Sequence, residues 1–341
     1  MQMIFEPIEI KGHRLANRIT LAPLASSSSE SDGGPSEKSL EIYRRFASSC
    51  ASMAIVEHHA VQLNGLIRPT QFRSDSDEVA AKHAPVAKIL KDAGMTALVQ
   101  INHGGANIAD PSVLDIEDYK NLSPSGVPVG QCWNNEKRKP NILTKSEIGR
   151  IVESFVEAAV RMVKTAGYDG IQIHACHGYL LGQFLSPLTN RRDDSYGGSD
   201  SKRARLLFEI VDAVRSTLPD TILAVRLGAA DYLPGEPMRG LSLDETVPAA
   251  KELASLGTDI IGISGNLCGF GINRTDEGYF APYALRIKEA VGDSCLVECT
   301  GGIKTASAAV RLLENGCCDL IGVGRLVMKD AGFGEKWRSE L

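Results

Sequence analysis

Residues 170–199 read GIQIHACHGYLLGQFLSPLTNRRDDSYGGS, and this stretch decides how the rest of the chain is interpreted. It opens with the apolar run 170–173, which predicts a short buried strand, and the run ends at His174. His177 and Tyr179 follow almost at once, so two imidazoles and a phenol emerge together where a strand gives way to a loop. Each of these residues, taken alone, is typical of a packed and hydrogen-bonded core. The whole string favours a functional site.

Composition limits the class of protein. The 341 residues are 43% hydrophobic and 23% charged, and no apolar run approaches the roughly 18 residues that a membrane span needs. A net charge of −5 argues against nucleic acid or an anionic membrane as a partner. The N-terminus does not resemble a signal peptide, so we expect a cytoplasmic protein with reduced cysteines. None of the eight cysteines forms a C-x-x-C pair, which argues against zinc-ribbon and thioredoxin-like folds.

Short apolar runs alternate with amphipathic segments along the whole chain. The clearest helix is predicted over residues 147–166, with a capping box from Thr144 and Glu147 and an end at Gly167. Near-continuous apolar strands between helices indicate a parallel sheet buried on both faces. We predict eight such strands, at residues 19–22, 53–57, 96–101, 170–174, 223–227, 260–264, 296–299 and 320–323. Eight units make a (β/α)8 barrel, and no change of composition marks a second domain, so residues 1–341 are expected to form one α/β TIM barrel.

The extra length of the chain lies in the connections that follow the strands. Long βα loops are expected at residues 104–145, 178–202, 228–240 and 265–280. These loops lie on the barrel face where active sites form, so we expect them to shape the substrate pocket. Residues 1–18 are expected to close the opposite end.

Two glycine-rich strand ends occur in succession near the C-terminus, at Gly301–Gly302 and at Gly324–Arg325. Strands seven and eight of barrels often end in a phosphate site, because glycine N–H groups approach the anion closely. An arginine adds a forked cation. Tight turns alone would explain either pair equally well, but two successive pairs in a barrel favour phosphate binding.

The string 170–199 resembles, nearly letter for letter, the signature of the Old Yellow Enzyme family of FMN-dependent ene-reductases, in its bacterial branch. The resemblance covers essentially the full chain and implies a barrel with FMN as cofactor and NADH or NADPH as hydride donor. It implies that His174 and His177 hold the carbonyl oxygen of an α,β-unsaturated carbonyl substrate. Tyr179 would then protonate the α-carbon, since a tyrosine keeps its proton at neutral pH and releases it only to a developing enolate. The tail of the string, residues 190–199, is expected to be a structural loop.

The same resemblance implies where the cofactor binds. The cofactor-binding set is expected to comprise Pro23, Leu24, Ala25, His58, Gln100, Arg226, Gly301, Gly302, Gly324 and Arg325. Gln100 would bind the pyrimidine edge of the flavin, and Arg226 would stabilise negative charge on the reduced ring. An ion pair with Asp231 or Glu57 is the alternative interpretation of Arg226. His58 stands where relatives usually carry a small residue beside the flavin, which leaves the substrate range open.

Two functions of other classes stay open from the sequence. Imidazole is a common zinc ligand, and a metal-dependent hydrolase on the same barrel would use some of His58, His59, His103, His174 and His177. Against it, the first strand offers no histidine, and no carboxylate is obviously placed to bridge two metals. A flavin-binding redox sensor without turnover is the other hypothesis. The sequence is compatible with a homo-oligomer and does not decide the nicotinamide preference, for which Arg138 and Arg274 are candidates.

Overall fold

The computed structural model describes residues 3–130, 139–268 and 274–341 of the chain. Eight parallel strands close into a barrel in which each pairs with the next and the last pairs with the first. We number them β1 (Ile19–Leu21), β2 (Met53–Ala60), β3 (Thr96–Asn102), β4 (Gly170–Ala175), β5 (Ile222–Gly228), β6 (Ile260–Ser264), β7 (Leu296–Cys299) and β8 (Leu320–Val323). The eight predicted strands and the (β/α)8 barrel are confirmed.

Helices surround the barrel and join its strands. The main helices span Glu37–Ala47, Asp77–Lys82, Ala84–Asp92, Lys145–Lys164, Asp200–Thr217, Leu243–Ser255, Ala281–Val291, Ala306–Glu314 and Phe333–Glu340. Shorter elements in the βα connections are the helices Leu180–Leu185 and Arg325–Lys329 and the paired strands Leu122–Ser123 and Asn141–Ile142. Over the described ranges, no helix has the length and apolar character that crossing a membrane requires.

The helix Lys145–Lys164 shows how the sequence sets an element's ends. Thr144 Oγ1 accepts from the backbone N–H of Glu147 at 3.2 Å, and the Glu147 carboxylate accepts from the N–H of Thr144 at 2.8 Å. This reciprocal pair is the predicted capping box, and it lets the helix begin at Lys145, two residues before the predicted start. The chain leaves the helix through Gly167, which has φ +82°, a conformation that glycine adopts without strain.

A hairpin closes the amino-terminal end of the barrel. Its strands, Ile8–Ile10 and His13–Leu15, pair antiparallel, and Leu15 is fully buried. The hairpin packs against apolar side chains in the lower parts of the barrel strands: Met53, Ile55, Leu98, Ile222, Ala224, Ile260 and Leu320. The predicted closure of this end is confirmed, and functional groups must therefore gather at the opposite, carboxyl end.

Arg192 joins two of the long βα loops on the carboxyl face. Its Nη1 donates to the backbone carbonyls of Pro124 and Leu143, both at 2.7 Å, and its Nη2 lies 2.7 Å from the Asp194 carboxylate. The guanidinium also holds the pKa of Asp194 down to about 2. Residues 190–199 thus form the structural loop that the sequence predicts.

Replacing Arg192 with Leu should lower the free energy of unfolding by about 2 kcal/mol, because the carbonyls of Pro124 and Leu143 lose a charged donor. Chemical denaturation monitored by circular dichroism measures the change. Arg191, its exposed neighbour, is the matched control, and Arg191→Leu should change the same quantity by less than about 0.5 kcal/mol. Equal effects of the two substitutions would contradict the bracing role.

Candidate active site

A cavity of about 460 Å³ opens among residues that follow the carboxyl ends of the strands. Its wall includes backbone and side chains after β1, β6, β7 and β8, together with one residue of β5 and one of the loop after β4. Eight of the predicted site residues line it: Pro23, Leu24, His177, Arg226, Gly301, Gly302, Gly324 and Arg325. The other five, Ala25, His58, Gln100, His174 and Tyr179, are not part of this wall.

The glycine-rich end of the cavity has the shape and charge that a phosphate group requires. Gly301 and Gly302 take φ values of +112° and +72°, and a Cβ on Gly302 would lie only 2.9 Å from the ring of Tyr279. Besides Arg325, two further cations line this end of the cavity, Lys304 and Lys329. Sequence reasoning missed both lysines, although their positions just beyond β7 and β8 are a signal that could have found them. Backbone amides and cations together make a suitable anion site.

Buried donors without protein partners lie inside the barrel mouth. Arg226 Nε on β5 and Gln172 Nε2 on β4 are buried and have no hydrogen-bond partner within the described part of the chain. Gln100 Nε2 donates to Gln172 Oε1 at 2.7 Å, and neither amide is part of the cavity wall. Because buried polar groups are nearly always satisfied, such donors fit a bound ring with acceptor atoms. Sequence reasoning did not single out Gln172. In the structure it lies opposite Gln100 on the adjacent strand.

The ion-pair interpretation of Arg226 finds no support in the described residues. The Glu57 carboxylate accepts from the Ser26 N–H at 2.6 Å and contacts the Tyr43 hydroxyl at 3.2 Å. Asp231 is engaged by the hydroxyl of Ser186 and by neighbouring amide groups. Arg226 lines the cavity and forms no ion pair with the described residues, although its charge also opposes the rise that burial causes in the pKa of Glu298.

His174, His177 and Tyr179 form a compact cluster beside the cavity. His174 Nε2 lies 3.2 Å from His177 Nδ1, and the rings of His174 and Tyr179 are 4.9 Å apart between centroids. His177 has φ +59°, an uncommon conformation outside glycine, and Gly178 continues the turn with φ +68°. This turn directs His177 back toward His174 while its Nε2 contacts the Ser264 hydroxyl at 2.8 Å. Two imidazoles and one phenol therefore share one small volume.

Burial fixes the protonation states of the cluster. It lowers the pKa of both His174 and His177 well below the usual value, and in His174 the neighbouring ring of His177 adds to the effect. A histidine with a lowered pKa takes up a proton only when the pH falls below that pKa, so both rings are neutral at neutral pH. Burial raises the pKa of Tyr179, which therefore stays protonated.

His58 belongs to this cluster more than to the cavity wall. Its ring centroid is 5.7 Å from that of Tyr179 and 6.1 Å from that of His174. Its Nδ1 lies 2.8 Å from Nε2 of Gln71, a residue that sequence reasoning did not single out. Burial, assisted by the charges of Arg68 and Arg226, lowers the pKa of His58 to about 4.

The other histidines do not converge on the cluster. His59 contacts His83 at 3.1 Å behind the strand, and His103 Nδ1 accepts from the N–H of Gly105 at 3.0 Å. Within the described ranges, the group able to hold a metal ion has ligand atoms within 4.8 Å of one another: His174, Cys176 and His177. It contains no carboxylate that could bridge two metal ions. Of the two nicotinamide candidates, Arg274 lines the cavity and pairs with Asp276, and Arg138 lies outside the described residues.

The fold is that of a barrel enzyme, and the cavity offers cations and glycine amides at one end and buried polar side chains at the other. Residues 3–341 match the model of the NADH:flavin oxidoreductase / NADH oxidase family. The chain belongs to this family. It is an NAD(P)H-dependent oxidoreductase with FMN as cofactor, and the residues at both ends of the cavity fit that group.

Individual relatives agree with the family assignment. The chain is 33% identical to the NADPH dehydrogenase of Geobacillus sp. (strain WCH70) over 329 residues, which cover 96% of this chain and 91% of that protein. The structure of the old yellow enzyme homologue from Zymomonas mobilis superposes with a TM-score of 0.82 at 26% identity, covering 99% and 92% of the two chains. The resemblance to the Old Yellow Enzyme family is confirmed, and the metal-dependent hydrolase finds no support.

A third likeness concerns the fold alone. A 2-naphthoyl-CoA reductase in complex with 2-naphthoyl-CoA superposes with a TM-score of 0.88 at 22% identity. The alignment covers 99% of this chain and 52% of that one, so the present chain spans about half of the larger protein.

The glycine loop yields a direct test of cofactor binding. Gly302→Ala should weaken FMN binding at least about tenfold, because the added methyl group meets the Tyr279 ring and shifts the loop. Gly316→Ala is the matched control: Gly316 also has positive φ, +65°, but a Cβ added there would meet no neighbouring atom within 4 Å. Both variants bear a similar backbone cost of about 1 kcal/mol. Titration of the apoprotein by flavin fluorescence measures the affinity, and equal loss in both variants would contradict the assignment.

Proposed function

We propose that this protein is an FMN-dependent ene-reductase, which reduces the C=C bond of α,β-unsaturated carbonyl compounds with NADH or NADPH. FMN, when bound, accepts hydride from the nicotinamide and supplies it to the β-carbon of the acceptor. The observation that carries the proposal is the cluster of His174, His177 and Tyr179, in which two neutral imidazoles lie beside a protonated phenol. The names of the relatives support the nicotinamide part of the proposal.

The two histidines would bind and polarise the carbonyl oxygen. If the Ser264 hydroxyl donates to His177 Nε2, the proton of the neutral ring is left on Nδ1, the atom that faces His174. If the Cys176 thiol donates to His174 Nδ1, the proton of that ring lies on Nε2. A substrate oxygen that replaces the direct contact between His177 Nδ1 and His174 Nε2 would then accept from both rings. Donors held in place before the reaction stabilise the enolate charge as it develops, an effect typically worth a few kcal/mol.

Tyr179 would deliver the proton to the α-carbon. Its ring is packed against His174, and its side chain is 7% exposed. A phenol whose pKa is raised by burial loses its proton only at higher pH, so it remains a donor across the neutral range. The developing enolate is basic enough to take this proton, which ties protonation to hydride arrival.

The cluster also argues against a flavin-binding redox sensor without turnover, because such a protein needs no proton donor beside its ring. We extend the proposal to the whole chain: residues 1–341 act as one FMN-binding catalytic unit. A cytoplasmic location and a homo-oligomeric state stay predictions from the sequence.

The proposal is tested by following the flavin absorption under argon. NADPH or NADH should bleach the flavin bands, and cyclohexenone should restore them. The double variant His174→Ala/His177→Ala should keep its bound flavin and lose this restoration, because the carbonyl oxygen has no donors. Reoxidation of the double variant at the wild-type rate would contradict the carbonyl-binding role, and a wild-type flavin restored only by oxygen would contradict the ene-reductase.

Tyr179→Phe separates the proton donor from the rest of the site. We expect the oxidative half-reaction with cyclohexenone to slow by about a hundredfold or more, because the general acid is lost. The reductive half-reaction with NADPH transfers no proton from Tyr179 and should be spared. Stopped-flow spectroscopy measures the two half-reactions separately. Equal damage to both would indicate a packing role for the ring.

A further inference from the structure

Arg68 lies in the loop after β2 and is not used in the proposed reaction. Its Nη1 donates to the Ser27 hydroxyl at 2.7 Å, and its Nε is buried without a hydrogen-bond partner in the described part of the chain. Over the same residues Arg68 forms no ion pair, whereas Arg192 pairs with Asp194. Hydrogen bonds with Ser112 are the main cause of the lowered pKa of Asp110, and the charge of Arg68 adds to the lowering. A part-buried cation without a carboxylate partner is available to an anionic ligand.

Gln71 ties the Arg68 loop to the active-site cluster. Its Oε1 accepts from the backbone N–H of Ile67, the residue before Arg68, at 2.8 Å. Its Nε2 lies 2.8 Å from Nδ1 of His58, whose ring faces Tyr179. The charge of Arg68 is felt in the cluster, because it lowers the pKa of His58 and opposes the rise that burial causes in Tyr179.

The same amide fixes the tautomer of His58. A backbone N–H only donates, so the contact with Ile67 identifies the Gln71 oxygen and leaves its amide nitrogen facing His58. That nitrogen donates to His58 Nδ1, and the proton of the neutral ring must lie on Nε2. His58 thus offers one N–H donor on the side of its ring away from Gln71.

We propose that Arg68 and His58 form an anion-binding corner of the active site, and that the preferred acceptors carry a carboxylate in addition to the conjugated carbonyl group. This inference rests on the proposed ene-reductase function and names its substrate class. The guanidinium fork matches the two oxygens of a carboxylate, and the His58 N–H adds a neutral donor. The carbonyl oxygen would meanwhile lie at His174 and His177.

The position of Arg68 favours the acceptor over the nicotinamide nucleotide as its ligand. Arg68 contacts the loop after β1 and belongs to the loop after β2. The cations Lys304, Arg325 and Lys329, which suit phosphate groups, follow β7 and β8. The Arg68 loop is tied through Gln71 to His58, and the charge of Arg68 acts on both His58 and Tyr179, so it is placed for a charge on the reacting molecule itself.

The test compares two acceptors, trans-4-oxo-2-pentenoate and its methyl ester, of which only the acid carries a negative charge. Their difference in intrinsic reactivity is the same for every variant and cancels when the acid-to-ester ratios of the variants are compared. In the holoenzyme, kcat/KM for the acid should exceed that for the ester by about tenfold or more. Arg68→Gln should lower this acid-to-ester ratio by about tenfold to a hundredfold. Arg68→Lys should keep part of the preference, because a point charge lacks the fork. Arg191→Gln removes the same charge from an exposed position of a βα loop and should keep the wild-type ratio.

Each other outcome overturns the inference. A wild-type enzyme that does not prefer the acid needs no anion-binding corner, whichever variants fold. An unchanged ratio in Arg68→Gln with a raised KM for NADPH would assign the cation to the nucleotide. An equal loss in Arg191→Gln would show a general field effect. If the wild-type enzyme reduces neither acceptor nor cyclohexenone, the ene-reductase function itself fails, which is a distinct result.

Discussion

The pairing of β8 with β1 is the constraint on which the site depends. Gly322 lies opposite Thr20 in this ladder, and the backbone N–H of Ala22 continues the pairing by donating to Val323 at 2.9 Å. Closure brings the loops after the first and the last two strands, far apart in sequence, to one rim. The close packing at this rim also accounts for a glycine at position 322, because a Cβ there would lie 2.6 Å from the Thr300 side chain. The loops after β1 and β8, to which the resemblance assigns flavin and phosphate contacts, thus adjoin through backbone hydrogen bonds.

Burial then sets the protonation states of the side chains that barrel closure brings together. One physical effect, the cost of charge in a poorly solvated place, keeps the imidazoles neutral and the phenol protonated. It also raises the pKa of Glu57 to about 7, although the Ser26 N–H and the Tyr43 hydroxyl oppose the rise. The carboxyl thus loses its proton at a higher pH than an exposed glutamate does. Since Glu57 accepts from the Ser26 N–H, the loop after β1 is tied to a buried titratable group.

The fold is predictable because its signals are local. Eight apolar runs of strand length lie between amphipathic segments, and nearly every barrel-strand residue is buried, which is why the apolar runs are continuous. The capping residues Thr144 and Glu147 place the start of a helix within two positions. The histidine and tyrosine positions are recognisable because three reactive side chains fall within six residues at the end of a strand.

The remainder of the site is hidden from the sequence because it depends on pairs of residues that are distant along the chain. The resemblance implies that Gln100 faces the flavin, which stays a prediction; its hydrogen bond to Gln172 is decided by strand register and is not readable from the sequence. The resemblance likewise assigns His58 to the cofactor, and the structure turns its ring toward Tyr179. Gln71 sets that orientation from a loop whose path no periodicity describes.

The amino-terminal hairpin has a consequence for the order of events in catalysis. With one end of the barrel sealed by Leu15 and its neighbours, nicotinamide and acceptor reach the cofactor from the same face. In the proposed reaction the two molecules would use the same pocket in turn, with the oxidised nicotinamide departing before the acceptor arrives. Substituted-enzyme kinetics follows, with parallel double-reciprocal plots and each substrate inhibiting the other at high concentration. Closure of the amino-terminal end thus bears on the order in which the two substrates bind at the carboxyl end.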